Sequence, residues 1–456
     1  MSAEAEAADG LPMPRRLLAI VAISFGTALF VLDGAVANVA LPTIARELGV
    51  GNGVVTNVVT VYQLVLVMGL LPFASLGDRI GHRRLYQIGQ AIFLVTSAAV
   101  YFVNDFAALL VARAGQALGA GMALSVSAAM LREIYPARSL GSGMGINSVI
   151  VATTYAIAPT LGGFIVEHAD WRWVFVAAVP LALISLVIGR SLPEPVRRQD
   201  RAPERLSGIW SALTVLLLIG GLQLATHGET DVYGIAAVLA GIVSAWFLVR
   251  RERTRANPVV PVDLIANPVL GLSALAAIAA FLASSSLMVA LPFRFEQVYG
   301  YAPGEVGLLL LPFPLTMLFV APAAGWLSDR VAATKLGVTG MSIAIAALVL
   351  LAFLPSDPGA VAIGWRLSLA ALGFGLFFAP NSRLLIGRAP KDRSAAAGGL
   401  LSTSRLMGQT LGAALVGLLL ALGIGLGPVP MLAACGFAVL AAACSMTRFF
   451  AVTRKR

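Results

Sequence analysis

From Leu17 almost to the C-terminus, long apolar runs follow one another with only short polar breaks between them. A bilayer core about 30 Å thick takes roughly 20 apolar residues per helix, so each run is long enough to cross it once. Of the 456 residues 59% are hydrophobic and only 12% are charged. The mean hydropathy of +0.89 lies far above what a soluble domain with a polar surface shows. The chain therefore reads as an all-α polytopic membrane protein, with no length left for a soluble catalytic domain.

The net charge of +10 raises the question of nucleic acid. A nucleic-acid reader gathers Lys and Arg into one basic stripe, whereas here they are scattered between apolar runs, which argues against such a partner. The two cysteines, Cys435 and Cys444, share one apolar run without metal-type spacing and read as packing residues. Glu4, Glu6 and Asp9 precede Arg15 and Arg16. The run that follows, about 25 residues, is too long for the apolar region of a signal peptide, so 17–41 is expected to stay as a first membrane helix.

Bounded by charge, Pro or Gly, the runs predict about fourteen helices. The odd breaks hold few basic residues, Arg46, Arg172 and Arg294; the N-terminal tail, the even breaks and the C-terminal tail hold the others, from Arg15 and Arg16 to Arg454, Lys455 and Arg456. By the positive-inside rule those segments, and with them both termini, are cytoplasmic. An internal repeat divides the chain. Leu76, Asp78 and Arg79 recur as Leu327, Asp329 and Arg330; Arg113, Gly119 and Gly121 as Arg366, Gly373 and Gly375; Arg138, Ser139 and Gly143 as Arg393, Ser394 and Gly398. Three matches in one order at nearly one offset indicate a parallel duplication, with the substrate path between the halves near the midplane. The expected organisation is a cytoplasmic tail (1–16), a six-helix bundle (17–192), two extra linker helices (207–250), a second six-helix bundle (269–447) and a cytoplasmic tail (448–456).

An ionisable group deep in lipid is costly, which singles out Asp33. Counted from the outer ends of their helices, Asp33 and Arg113 reach nearly the same depth and can pair. Opening and closing such a site changes the affinity of the carboxylate for a proton, so the group can exchange a proton for a substrate. The alternative is a fixed bridge that only holds two helices together. Arg366 and Arg405 are further intramembrane cations, facing the cavity or pairing with backbone carbonyls. With Asn38, Gln63, Gln116, Asn147 and Gln409 they complete the candidate cavity residues. Three arginines against one acid favour a neutral, zwitterionic or anionic substrate over a strongly cationic one.

The segment Gly77 to Arg84 combines turn glycines with charges of both signs. Asp78, Arg79, Gly81 and Arg83, with Asp329 and Arg330 of the repeat, suit a latch between two states, the alternative being topology anchoring. The fifth helix carries Gly145, Pro159, Gly162 and Gly163, small residues for close packing and a proline that can kink it, which fits either a rocking or a static helix. His82, His168 and His227 have no zinc-site spacing, so no metal is expected. No phosphate-binding loop is present, so no cofactor is implied and the proton gradient is the expected energy source.

These residues resemble the major facilitator superfamily over nearly the whole chain. Ala74 to Arg84 resembles the family's signature loop between helices 2 and 3, with Ala74 in place of its first Gly. Arg113, Gly115, Gln116 and Gly119 resemble its helix 4 signature, whose arginine is linked to proton coupling. Gly145 to Gly163 resembles the helix 5 signature of antiporters, with Thr154 and Ala158 replacing two glycines. Leu32 and Asp33 with Asn38 to Pro42, Asp170 to Phe175 with Pro180, Pro292, Gln297 and Gly300, and Arg405, Gly408 and Gly412 look like the fourteen-helix drug:proton antiporters. The resemblance implies the major facilitator fold, coupling roles for Asp33 and Arg113, and a switch role for Asp78 and Arg83. It implies proton-coupled export of drugs or other small amphipathic compounds across a bacterial cytoplasmic membrane, with the lipid bilayer and a periplasmic adaptor protein as further partners. Export or import of one metabolite, or a non-transporting sensor or adaptor-dependent component, are the competing readings.

Overall fold

The computed structural model describes residues 10–135, 140–193, 205–224, 231–253, 262–328, 330–390 and 394–453. The described chain is almost entirely helical. In chain order the long helices are α1 (Arg15–Glu47), α2 (Asn57–Ile80), α3 (His82–Ala99), α4 (Phe106–Ile134) and α5 (Leu140–His168). The next, α6, spans Trp173–Ser191, and α7 begins as Arg205–Val215 and runs through a π-helical turn to Leu224. There follow α8 (Asp231–Glu252) and α9 (Pro268–Gln297), α10 (Pro303–Leu327), α11 (Ala333–Ala352), α12 (Ala360–Arg388), α13 (Ser394–Ala421) and α14 (Val429–Thr453). Among the described residues, twelve helices are long and apolar enough to cross a membrane. Of the fourteen expected, α7 is the shorter one, its apolar part covering Ser207–Gly220, and α5 is 29 residues long.

Local chemistry sets the helix ends. Asp105 caps α4, its carboxylate accepting from Ala108 N at 2.8 Å, and Asn267 caps α9, accepting from Val269 N at 3.0 Å ahead of Pro268; both are short side chains that satisfy an orphan amide of the first turn. Between α2 and α3 a single residue reverses the chain: Gly81 has φ +99°, a conformation that costs side chains with a Cβ. Several helices run past the expected limits. Thus α1 continues from the expected 17–41 to Glu47, because the polar residues at its ends can reach beyond the hydrocarbon.

The packing of the first six helices recurs in the last six. In the first set α3 packs on α4 and α6, α1 on α5 and α6, and α2 on α4. In the second set α11 packs on α12 and α14, α9 on α13 and α14, and α10 on α12. The repetition extends to single residues. A Cβ on Gly89 would stand 2.5 Å from the carbonyl oxygen of Gly119, and one on Gly340 would stand 2.6 Å from that of Gly373. Backbones approach this closely where small residues allow dispersion contacts that lipid-facing leucines cannot supply. α7 packs on α2 and α8 packs on α7, so this pair stands beside the first set.

The two sets meet along α2 with α13, α5 with α10, and α1 with α9. The contacts gather at the face opposite the one where α1 begins, here called the far face and the terminal face. There Asn52 and Gln297 exchange side-chain hydrogen bonds of 2.7 and 3.1 Å. A Cβ on Gly53 would come 2.7 Å from the Gly417 carbonyl oxygen, and one on Gly307 would come 2.5 Å from that of Pro159. Toward the terminal face, a Cβ on Gly325 of α10 or on Gly398 or Gly399 of α13 would meet nothing within 4 Å. The seam is thus closed at the far face.

Gly307→Val is expected to wedge α10 away from α5 and shift the seam toward its open form. Overpacking at such a contact costs about 1–3 kcal/mol, about fivefold or more in the closed-to-open ratio. With Cys435 and Cys444 replaced by Ser, maleimide labelling of Thr160→Cys in the purified protein should quicken accordingly in the Gly307→Val background. An unchanged rate would mean that the glycine contact does not hold the seam shut.

Candidate functional site

Asp33 and Arg113 are each only 1% exposed, and they face one another inside the first six-helix set. Arg113 Nη1 donates to both carboxylate oxygens of Asp33, at 3.0 and 2.8 Å, and to Gln116 Oε1 at 2.7 Å. Its Nε donates to the Val58 carbonyl at 3.2 Å. The guanidinium plane lies between two rings, 4.2 Å from the centroid of Tyr62 and 4.9 Å from that of Phe175, so cation–π attraction acts from both sides. Tyr62 stands beside the Asp33 carboxylate as well, and Gln116 Nε2 donates to Ser97 Oγ at 2.8 Å. The cluster ties together α1, α2, α3, α4 and α6. A buried charge pair is tolerable only with most of its donors and acceptors satisfied, and here Arg113 Nε and Nη1 and both Asp33 oxygens are engaged.

Among the described residues the second set shows no such pair. Asp33 lies nine residues before Pro42 of α1; nine residues before Pro292 of α9 stands Ala283, which is fully buried. Arg366, the repeat partner of Arg113, instead donates from Nη1 to the Ala362 carbonyl of its own helix at 2.6 Å and stacks on the neighbouring Trp365 at 4.5 Å. Its Nε is buried without a partner.

The remaining cavity candidates divide. Gln116, expected to line the cavity, is fully buried in the Asp33–Arg113 cluster, because the face of α4 that carries it turns into the bundle. Arg405, expected to face the cavity or to pair with backbone carbonyls, is exposed in the middle of α13. It interacts electrostatically with Tyr155 of α5, across the seam between the two sets. Gln409, one turn further along α13, is half-buried and lends its carbonyl to Ser285 Oγ at 3.0 Å. Asn38 and Gln63 are half-buried, and their side-chain oxygens Oδ1 and Oε1 have no partner. The side chain of Asn147 lies outside the description.

Among the switch candidates, Pro159, Gly162 and Gly163 lie on the part of α5 that meets α1 and α10: a Cβ on Gly162 would stand 3.1 Å from the Val36 carbonyl oxygen, and Gly163 faces Pro303. Gly145 lies toward the other end of α5. Gly81 forms the α2–α3 turn, Arg79 is exposed and Arg83 half-buried. Arg330 stacks on Trp326 at 3.6 Å. Asp329 lies outside the described residues, as does the side chain of Asp78.

Other polar contacts have no counterpart in the sequence reading. His82 Nδ1 meets Glu133 Oε1 at 2.9 Å, pinning the start of α3 to the end of α4. Arg172 donates to the Val103 carbonyl at 2.8 Å after α3. Arg294 donates to the carbonyls of Leu351 and Ala352, at 2.9 and 3.1 Å, at the end of α11. Both arginines satisfy carbonyls left over at helix ends. Arg448, expected at the start of a cytoplasmic tail, is 1% exposed within α14 and donates to Ser273 Oγ and Asn381 Oδ1, both at 2.8 Å. A groove of about 410 Å³ lined by Tyr301, Glu305, Leu308, Leu309, Pro312, Ala360 and Val361 lies at the far ends of α10 and α12. It shares no residue with the clusters described above.

Comparison with known proteins agrees with this architecture. The family model of the Major Facilitator Superfamily matches residues 23–413 and again 273–456. The chain is 41% identical to the uncharacterized transporter YebQ of Escherichia coli, over 97% of each chain. It is 28% identical to the riboflavin transporter RibZ of Clostridioides difficile, over 88% of each. It is 29% identical to the multidrug resistance protein Stp of Mycobacterium tuberculosis, over 89% of this chain and 76% of that one. Among solved structures, a peptide transporter crystallised with sulfate superposes with a TM-score of 0.71 at 15% identity, covering 99% of this chain and 97% of that one, a likeness of fold alone. The chain is a multi-pass membrane transporter belonging to the Major Facilitator Superfamily.

Proposed function

We propose that the chain is a proton-driven exporter of small amphipathic compounds in the bacterial cytoplasmic membrane, working on the gradient without a cofactor. The observation that carries this reading is the sealed Asp33–Arg113 pair, 2.8 Å apart, one residue from the apolar face that α1 turns toward α9. A carboxylate so placed binds a proton only when the surrounding helices shift, and protonation removes the charge that holds Arg113 in place. That couples proton uptake to helix movement. By the positive-inside rule the terminal face is cytoplasmic, so the seam closed at the far face is shut to the outside and the conformer loads from within.

The direction of transport is supported by the multidrug resistance protein Stp, 29% identical. The riboflavin transporter RibZ, 28% identical, favours a second reading, transport of one metabolite by the same machinery.

In proteoliposomes loaded with a transported dye, Asp33→Asn is expected to reduce efflux driven by an imposed pH gradient to background while leaving counterflow, which needs no net proton movement, in place. Undiminished pH-driven efflux in that variant would remove the carboxylate from the mechanism.

The pair also bears on stability. Arg113→Ala leaves Asp33 buried and unpaired, at a cost of about 3–5 kcal/mol. It should lower the melting temperature in detergent clearly, and Asp33→Ala combined with Arg113→Ala should recover part of the loss. A double variant no more stable than Arg113→Ala alone would show that the damage comes from lost packing rather than from the stranded charge.

A further inference from the structure

We infer that the seam contains a subsite for a planar aromatic anion, built on Arg405 and the Phe281–Phe378 stack; this rests on the reading of the seam as the substrate route.

Arg405 is an exposed cation at mid-length of a membrane-crossing helix. Among the described residues no hydrogen-bond acceptor meets its guanidinium, and Tyr155 of the other six-helix set lies within electrostatic reach of it. An arginine so placed keeps its donors free in a fixed fork, the geometry that grips a carboxylate, sulfonate or phosphate by two parallel hydrogen bonds. The acid closest in kind, Asp33, is already held by Arg113, so it does not compete for Arg405 or receive a cationic ligand.

Beside the cation stands a flat wall. The Arg405 guanidinium lies 5.9 Å from the Phe281 ring centroid. Phe281 stacks on Phe378 at 4.1 Å with 10° between planes, and Phe378 continues onto Phe374 at 5.8 Å and 14°. Phe281 and Phe378 are half-buried while Phe374 is buried, so Phe281 is the outer ring of the stack and the other two back it. Its outer face can take a flat aromatic body by offset stacking, and the adjacent cation selects a negative substituent at its rim. A cationic ligand of the same shape would meet the charge of Arg405 unopposed.

The test uses two dyes with one ring system and opposite charge, fluorescein and rhodamine 123. Binding to the full-length protein in nanodiscs is read by fluorescence anisotropy against empty nanodiscs. Fluorescein should bind saturably and more tightly than rhodamine 123. Arg405→Gln should weaken it about tenfold or more, the loss expected for one charge-assisted hydrogen-bonded contact, with Arg405→Lys in between and Phe281→Ala also weakened. Arg405→Glu should reverse the preference. No saturable fluorescein binding, equal binding of the two dyes, or an unchanged Arg405→Gln variant would overturn the subsite.

Transport separates the two readings. If fluorescein binds through Arg405 but neither dye moves under a pH gradient in proteoliposomes, the exporter reading fails and the subsite stands. If fluorescein moves equally well in wild type and Arg405→Gln, the subsite fails and the exporter reading stands.

Discussion

Two full charges kept from both water and lipid survive only when they neutralise each other and are well hydrogen-bonded. Arg113 is held by much of the first six-helix set: a carboxylate from α1, a carbonyl and a ring from α2, an amide from its own helix, and a ring from α6. The positions of these helices are therefore referred to one guanidinium. A change in the charge of Asp33 is felt wherever those contacts reach, which makes the pair a plausible origin for concerted movement rather than a local event.

The second set shows which features duplication retains. Its glycine contacts repeat, Gly340 on Gly373 as Gly89 on Gly119, because close packing is what holds any helix pair together in lipid. The charge pair does not repeat among the described residues. Ala283 stands where Asp33 would be, and the buried arginines of this set have neutral partners, Arg448 in Ser273 and Asn381 and Arg294 in the carbonyls of Leu351 and Ala352. The two sets are thus alike in packing and unlike in charge: one encloses an ion pair, and the other carries Arg405 beside the stacked Phe281 and Phe378.

The helical fold was legible because lipid imposes length and apolarity on each crossing, and the two-fold plan because the repeated motifs kept their spacing. Asp33 and Arg113 were legible too, since an acid and a base inside apolar runs have few ways to be tolerated. What the sequence hid was rotation about each helix axis. A helix apolar on all sides carries no stripe to orient it, so Gln116 could not be turned into the bundle, nor Arg405 out into the seam, by pattern alone. Arg172, Arg294 and Arg448 looked like loop or terminal charges for a related reason. Their acceptors are carbonyls and side chains of helices distant in sequence, and no local spacing announces them. Asn381, a lone amide in an apolar run, was the one local sign of the Arg448 cluster.

The seam differs in kind from the bundles it separates. Inside the first set the contacts include an ion pair, ring stacking and side-chain hydrogen bonds to a buried charge. Across the seam the close contacts are backbone against backbone at glycines, with the Asn52–Gln297 amide pair at the rim. Parting the glycine contacts themselves breaks no ion pair of the kind that Asp33 and Arg113 make, so they resist movement less than the interior of the first set resists deformation. The element that belongs to both a bundle and the seam is α1, which carries Asp33 and packs on α9. Its Leu32 and Val36 share one buried apolar cluster with Ala276, Ala279 and Ala280 of α9. The buried charge pair therefore stands on the helix along which the two sets meet.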